Sequence, residues 1–230
     1  MTMVNPTPLL LLFSALVSGT AGCTGVASEG QPAPRSRILA PSTSAEGRQV
    51  TVVNVQAPWY AFDFILPGQF KKVIPVYEQV AGLRFKAFSI LDKEEKSFGG
   101  IYLWDSEQRA RDWYTPTWFA DIEQKRGHKP TVDYYSVVKD VTFVAPDFDY
   151  RQRESDCVTV FVHAINPVLV QQCLTPQAGL LRTYLVRETG EQEGALLLFA
   201  NADNATAFLE RQKVGTYDWF RTPVLLNNAR

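Results

Sequence analysis

Apolar positions along the chain alternate between two periods, and the switches mark the elements. Val50, Val52, Val53 and Val55 predict a β-branched strand over 49–56. Phe70, Val73, Ile74, Tyr77 and Val80 fall at helical spacing and predict a helix over 69–80 that Gly82 ends. Strands follow at 83–90 and 100–104, joined by a polar turn at 92–97. Asp105 or Ser106 can cap a helix carrying Ala110, Trp113 and Tyr114 on one face. Thr115 as N-cap with Pro116 in the first turn starts a second helical piece through Trp118, Phe119 and Ile122 to Gly127. A strand over 131–141 completes the unit.

This order is β-α-β-β-α-β, a ferredoxin-like unit, and it recurs. Residues 157–163 repeat the first strand, with Val-Thr-Val in both copies. Ala178-Gly179-Leu180 repeats Ala81-Gly82-Leu83, and 194–199 followed by Ala200-Asn201 repeats 99–104 followed by Asp105-Ser106. The second copy lacks a counterpart of the Trp118 helix. Its last strand, over 217–226, contains Pro223, which predicts an edge or irregular strand. The expected organisation is a first half over 48–146, a linker over 147–156 and a shorter second half over 157–230.

Gly100-Ile-Tyr-Leu-Trp104 and Ala195-Leu-Leu-Leu-Phe199 are continuous apolar runs. A sheet wet on one side would alternate instead. Helices cover one face, so the other face of each sheet needs a partner that the repeat supplies. The fold class expected is α+β, two tandem ferredoxin-like units packed sheet to sheet within one chain, as a monomer with an internal pseudo-twofold.

Before the first strand the pattern changes. Leu9 to Val17 is an apolar run too short to span a bilayer and suited to a signal peptide over 1–22. Small residues then lead to Cys23, in a pattern that resembles the lipobox of bacterial lipoproteins, where the cysteine is acylated. Thr20 stands where Leu or Val is usual, and no Lys or Arg precedes Pro8. Cleavage after Ala21, giving a secreted or periplasmic product, is the alternative. Lipidated Cys23 would place the protein at the bacterial cell envelope, attached to the membrane through its N-terminal lipid. By resemblance to Gram-negative lipoproteins, Thr24 favours the outer membrane. Residues 23–47, rich in Ser, Pro, Ala and Gly, read as a flexible tether.

With 46% hydrophobic and 20% charged residues the chain can bury a core. Its 23 Lys+Arg balance 24 Asp+Glu, leaving no excess positive charge for nucleic acid. Cys157 and Cys173 would lie too far apart on a strand and the helix after it to form a disulfide. No metal-ligand spacing, phosphate loop or hydrolase elbow is present, so neither a metal nor a cofactor is expected.

The stretch Ala81-Gly82-Leu83-Arg84-Phe85-Lys86, then Gly99-Gly100-Ile101-Tyr102-Leu103-Trp104 and a helix with Ala110 and Trp113, resembles the YdhR-like monooxygenases. These belong to the antibiotic-biosynthesis-monooxygenase group of dimeric α/β barrels. The resemblance covers about 50–142; the second half shares only the pattern. It implies a single-chain version of the dimeric barrel, with ligand held between the sheet and helices of each half. It also implies a possible oxygenation of aromatic substrates without metal or flavin. Haem-degrading relatives pair a first-strand Asn with a third-strand Trp, which Asn54 and Trp104 could mimic. Those relatives also use a helix His, which 107–114 lacks.

The candidate ligand is a small apolar or aromatic molecule. Tyr102 and Trp104 share one strand face, and Trp113 and Trp118 come from the covering helices, so these four rings either line a cleft or are simply core. The catalytic candidates are Lys86, Asn54 and His163. Lys86 would orient an anionic or phenolate group, or snorkel at the sheet rim. His163 would act as a base near neutral pH, or sit satisfied at the rim. Convergence of the three on a cavity of more than about 300 Å³ would favour catalysis, and a solid core a non-catalytic binding or interaction lipoprotein. His128, beside Gly127, reads as a loop residue.

Overall fold

The computed structural model describes residues 47–57, 64–91, 97–145, 147–153, 156–187 and 193–228. The signal, lipidation and most of the tether expected over 1–46, Cys23 included, lie outside the described residues. So does most of the 92–97 turn.

Strand β1 (Gln49–Gln56) has the bounds its valines predict. Helix α1 (Leu66–Tyr77) begins and ends three residues earlier than its apolar spacing suggests. Pro67, in the first turn, pre-sets the start, while Gly82 adopts φ +82° in the turn that leads into β2 (Leu83–Leu91). Strand β3 (Ser97–Trp104) starts three residues earlier than predicted, because Ser97, Phe98 and Gly99 are already paired with β1. The caps follow the sequence signals. Ser106 Oγ accepts from the Arg109 N–H at the start of α2 (Glu107–Trp113), and Thr115 Oγ1 from the Trp118 N–H at the start of α3 (Pro116–Arg126). Gly127 closes α3 in the left-handed region at φ +77°.

Strand β4 (Thr131–Thr142) completes the first half. The second half repeats the order with β5 (Val158–Val162), α4 (Pro167–Cys173), β6 (Leu180–Arg187), β7 (Glu193–Phe199), α5 (Ala202–Gln212) and β8 (Tyr217–Asn227). Asn201 caps α5 where Ser106 caps α2, and Gly179 takes the positive φ of Gly82. Among the described residues no second-half element corresponds to α3. The linker is more than a connection: its 3-10 turn (Tyr150–Arg153) inserts Tyr150 into the core against Phe85 and Phe148.

The strands form one closed antiparallel barrel in the order β1-β3-β2-β8-β5-β7-β6-β4. Each half supplies a ferredoxin-like sheet, β4-β1-β3-β2 and β8-β5-β7-β6, and the long outer strands join them. Strand β4 pairs with β1 through residues 131–136 and with β6 through 136–142; β8 pairs with β5 through 217–221 and with β2 through 220–227. Strand β8 is therefore no edge, which corrects that part of the Pro223 reading. The irregular part holds: the β2 register shifts between Phe88 and Ile90, opposite the stretch containing Pro223, where a residue without an N–H cannot extend the ladder.

Closure divides the core into three. The barrel interior packs Val50, Val52, Phe85, Ile101, Leu103, Phe161, Leu196, Leu198 and Phe220. The outer face of the first sheet packs under α1, α2 and α3, and that of the second under α4 and α5. At the β4–β6 seam, Asp140 accepts from Arg182 Nε at 2.9 Å and Nη2 at 2.7 Å, and from Arg48 Nη1 at 2.9 Å. Both the Asp140 and Arg182 side chains are over nine-tenths buried. Cys157 and Cys173 are buried and not joined in a disulfide, and burial pushes the Cys173 thiol up to about 12.

Candidate functional site

Strand alternation decides which side chains can meet. Thr51, Val53 and Val55 of β1, Lys86 and Phe88 of β2, and Tyr102 and Trp104 of β3 all lie on the helix-facing side of the first sheet, whereas Val52, Phe85, Ala87, Ile101 and Leu103 face the barrel interior. A register shift between Leu83 and Phe85 sets the β2 alternation that turns Lys86 toward the helices. Between this face and helices α1 and α3 lies a cleft of about 80 Å³. Phe70, Val73 and Tyr77 line it from α1, and Trp118, Ile122 and Arg126 from α3; Lys86, Phe88 and Tyr102 form part of its floor.

Lys86 is the unusual member. It is 2% exposed, and its Nζ lies 3.2 Å from the centre of the Tyr77 ring, 3.9 Å from Phe88 and 4.3 Å from Tyr102. Among the described residues no carboxylate lines the cleft, and Lys86 has no hydrogen-bond or ion-pair partner. An ammonium carries three donors. Three aromatic faces offer it roughly 0.5–2 kcal/mol each, against a desolvation cost of several kcal/mol with no oxygen acceptor to offset it. Burial thus holds the Lys86 pKa well below its ordinary value, which enlarges the share of neutral amine at any given pH.

The described surroundings contribute no counter-charge. Burial raises the Tyr77 hydroxyl to about 12, opposed by its hydrogen bond to Tyr102. It also raises Tyr102 and Tyr114 well above the ordinary phenol value, so all three are neutral. Tyr77 and Tyr102 hydroxyls lie 3.4 Å apart. Tyr114 shares a 3.0 Å hydrogen bond with Thr51 Oγ1, which also accepts from Trp104 Nε1 at 2.9 Å. Gly100 provides the room for the lysine: a Cβ there would lie 3.0 Å from Lys86 Cε and 3.0 Å from the Tyr102 ring. Gly99 is required more strictly, since its Cβ would lie 1.9 Å from the Val53 carbonyl oxygen.

The four aromatic candidates divide. Tyr102 and Trp118 line the cleft. Trp104 is wholly buried and Trp113 half-buried, packed 6.3 Å apart behind the lining; these two are core. The three catalytic candidates do not converge. Asn54 alternates with Val53 and Val55, so it faces the barrel interior, on the opposite side of the sheet from Lys86. The Asn54–Trp104 pairing fails for the same reason and by distance. Asn54 pairs with Gly99 whereas Trp104 pairs with Gln49, five residues along β1 or roughly 17 Å. His163 lies in the second half, its Nε2 3.0 Å from Asp218 Oδ2. Asp218 and Leu226, the β8 partner of Lys86, are eight residues or roughly 27 Å apart. His128 is exposed beyond α3.

Sequence reasoning missed Tyr77 and Phe88 as walls of the lysine's cage, and Arg126 as a cleft residue. Tyr77 was visible on the apolar face of α1, but nothing in the sequence says that this face lies over β2 at Lys86.

The fold is that of the dimeric α/β barrels, here closed within one chain. Among solved structures it is similar to a "putative monooxygenase" from Fusobacterium nucleatum, with a TM-score of 0.56 and 8% identity over 78% of this chain and 94% of that one. A "putative monooxygenase" from Lactobacillus acidophilus aligns with a TM-score of 0.50 and 10% identity over 80% of this chain and 97% of that one. Each alignment is longer than either half, so the tandem arrangement is part of the likeness. Family models and curated protein sequences give no match. The shared fold is consistent with the YdhR-like monooxygenase resemblance of the first half.

Proposed function

We propose that the cleft between the first sheet and helices α1 and α3 binds a small apolar or aromatic molecule bearing an acidic group such as a carboxylic acid, and that Lys86 receives its proton. The observation that carries this reading is a buried amine without a counter-ion, set in an aromatic wall that opens on a cleft. A neutral acid entering the cleft restores the missing partner: proton transfer to Nζ creates an ion pair in which the ammonium has both an anion and π faces. Arg126, also in the lining, adds positive charge.

As an enzyme, the protein would be a cofactor-independent monooxygenase. Lys86 acts as the base that generates a carbanion or phenolate for reaction with dioxygen. An activated methylene then becomes a carbonyl, one oxygen atom being retained and the other leaving as water. The cleft volume favours substrates of one ring or less, below the roughly 300–1,000 Å³ of drug-sized sites. The second reading is a non-catalytic binding protein, favoured by the absence of Asn54 and His163 from the cleft. Oxygen uptake with a panel of small hydroxyaromatics separates them. The enzyme reading expects uptake that Lys86→Ala abolishes; ligand retention without uptake selects the binding reading.

For location, we propose acylation at Cys23 and attachment at the bacterial cell envelope, on the outer membrane. Radiolabelled fatty acid should enter the wild-type chain and not Cys23→Ser; equal labelling, or none, rejects the anchor. The closed barrel leaves no strand edge for a second copy, which supports a monomer, and light scattering showing a dimer would reject it.

A further inference from the structure

We propose that Lys86 captures small aldehydes as a reversible covalent imine. The proposal shares the cleft with the binding reading but does not need oxygenation.

Three features of the geometry converge on it. The amine is buried, which keeps bulk water and anions from competing for it. It has no acidic partner among the described residues to hold it as ammonium, which favours an available lone pair. It also opens on a cleft lined by Val53, Val55, Phe70, Val73 and Phe98, whose apolar walls hold an alkyl tail while the carbonyl carbon approaches Nζ. The groups facing it are Tyr77 from α1, Phe88 from its own strand, Tyr102 from β3 and Arg126 from α3. Of these described groups Arg126 is the charged one at neutral pH, and it is a cation rather than a counter-ion.

The chemistry closes without an oxidant. The Nζ lone pair forms a bond to the carbonyl carbon while the C=O π pair moves to oxygen, and proton transfer from nitrogen to oxygen gives a carbinolamine. Loss of the hydroxyl with the remaining N–H proton releases one water and leaves a C=N bond. Protonated, that imine is a delocalised cation, less strongly hydrated than ammonium and better matched to the three aromatic faces. The same cage that cannot hold bare ammonium against desolvation therefore favours the iminium.

The full-length protein is incubated with butanal and cyanoborohydride at pH 6.5, and the butylated residues are located by peptide mapping on the wild type, so no variant has to fold. Each unit by which an amine's pKa is depressed raises its unprotonated fraction about tenfold at this pH. Lys86 should be the dominant site, butylated at least about tenfold faster than the average exposed lysine, with the advantage shrinking at pH 9.5. Ligand-detected NMR with 1-butanol, which fits the same cleft but cannot form an imine, runs in parallel. Butanol binding with modification confined to exposed lysines overturns the capture and leaves the cleft reading standing. No butanol binding and no reaction at Lys86 overturns both.

Discussion

Replacing Lys86 by Met tests the resting charge of the cleft. The substitution keeps an unbranched side chain among Tyr77, Phe88 and Tyr102 and removes the amine that has no acceptor. Because burial depresses the Lys86 pKa below its unfolded value near 10.5, the sign of the pH dependence is fixed. Below the folded pKa both states are protonated and the native state carries the whole cost. Between that pKa and 10.5 the unfolded chain holds one proton more than the native one, so wild-type stability rises with pH by about 1.4 kcal/mol per unit. Above 10.5 both states are neutral and the effect ends. The tyrosines act oppositely, since a raised folded pKa loses stability as pH climbs past 10, but they are common to both proteins and cancel in the difference. Urea unfolding of both between pH 7 and 9.5 should show the variant's advantage falling by about 1.4 kcal/mol for each pH unit within the window. A difference that stays constant with pH would refute the reasoning, because it would mean that Lys86 binds its proton equally in both states.

Further outcomes follow from the same geometry. Asp140→Asn strands the buried Arg182 guanidinium at the β4–β6 seam and should cost about 3–5 kcal/mol in urea unfolding; a loss under about 1 kcal/mol would show that the seam does not depend on the pair. Gly99→Ala forces a Cβ onto the Val53 carbonyl and should cost more than about 3 kcal/mol or abolish soluble expression, an overpacking effect at the severe end. His163→Ala should leave oxygen uptake and aldehyde capture unchanged and alter stability by less than about 1 kcal/mol, since its pair with Asp218 is partly exposed; loss of uptake would place His163 in the reaction.

The fold was largely legible because its signals are local and repeated. The valines of β1, the caps at Ser106, Thr115 and Asn201, and the paired turns at Gly82 and Gly179 each report a backbone geometry that few other residues satisfy. Repetition then supplied the second sheet. What the local pattern could not show was the joining of sheets. That Pro223 sits in a strand paired on both sides depends on β8 spanning β5 and β2, a long-range registration. The site was legible only in part for the same reason. Lys86 and Tyr102 were found because a charged residue and a phenol in apolar strands are conspicuous, and period two put Tyr102 on one face with Trp104. The face of Asn54 follows only from counting along β1, where Val52 and Val53 are both apolar and blur the alternation. His163 was grouped with Lys86 on chemical type, without the strand offsets that separate them. The Tyr77 side of the cage comes from helix packing, which no strand period encodes.

The most direct test of the central claim, that a buried uncharged amine awaits an acidic ligand in the first-half cleft, is the NMR signal of the Lys86 ε-carbon in lysine-labelled protein, assigned through Lys86→Met. At neutral pH it should lie at the neutral-amine position, apart from the exposed lysines, and move to the ammonium position as a small carboxylic acid is added while the others stay still. A Lys86 signal already at the ammonium position in the free protein, or one unmoved at saturating carboxylic acid, would contradict the account.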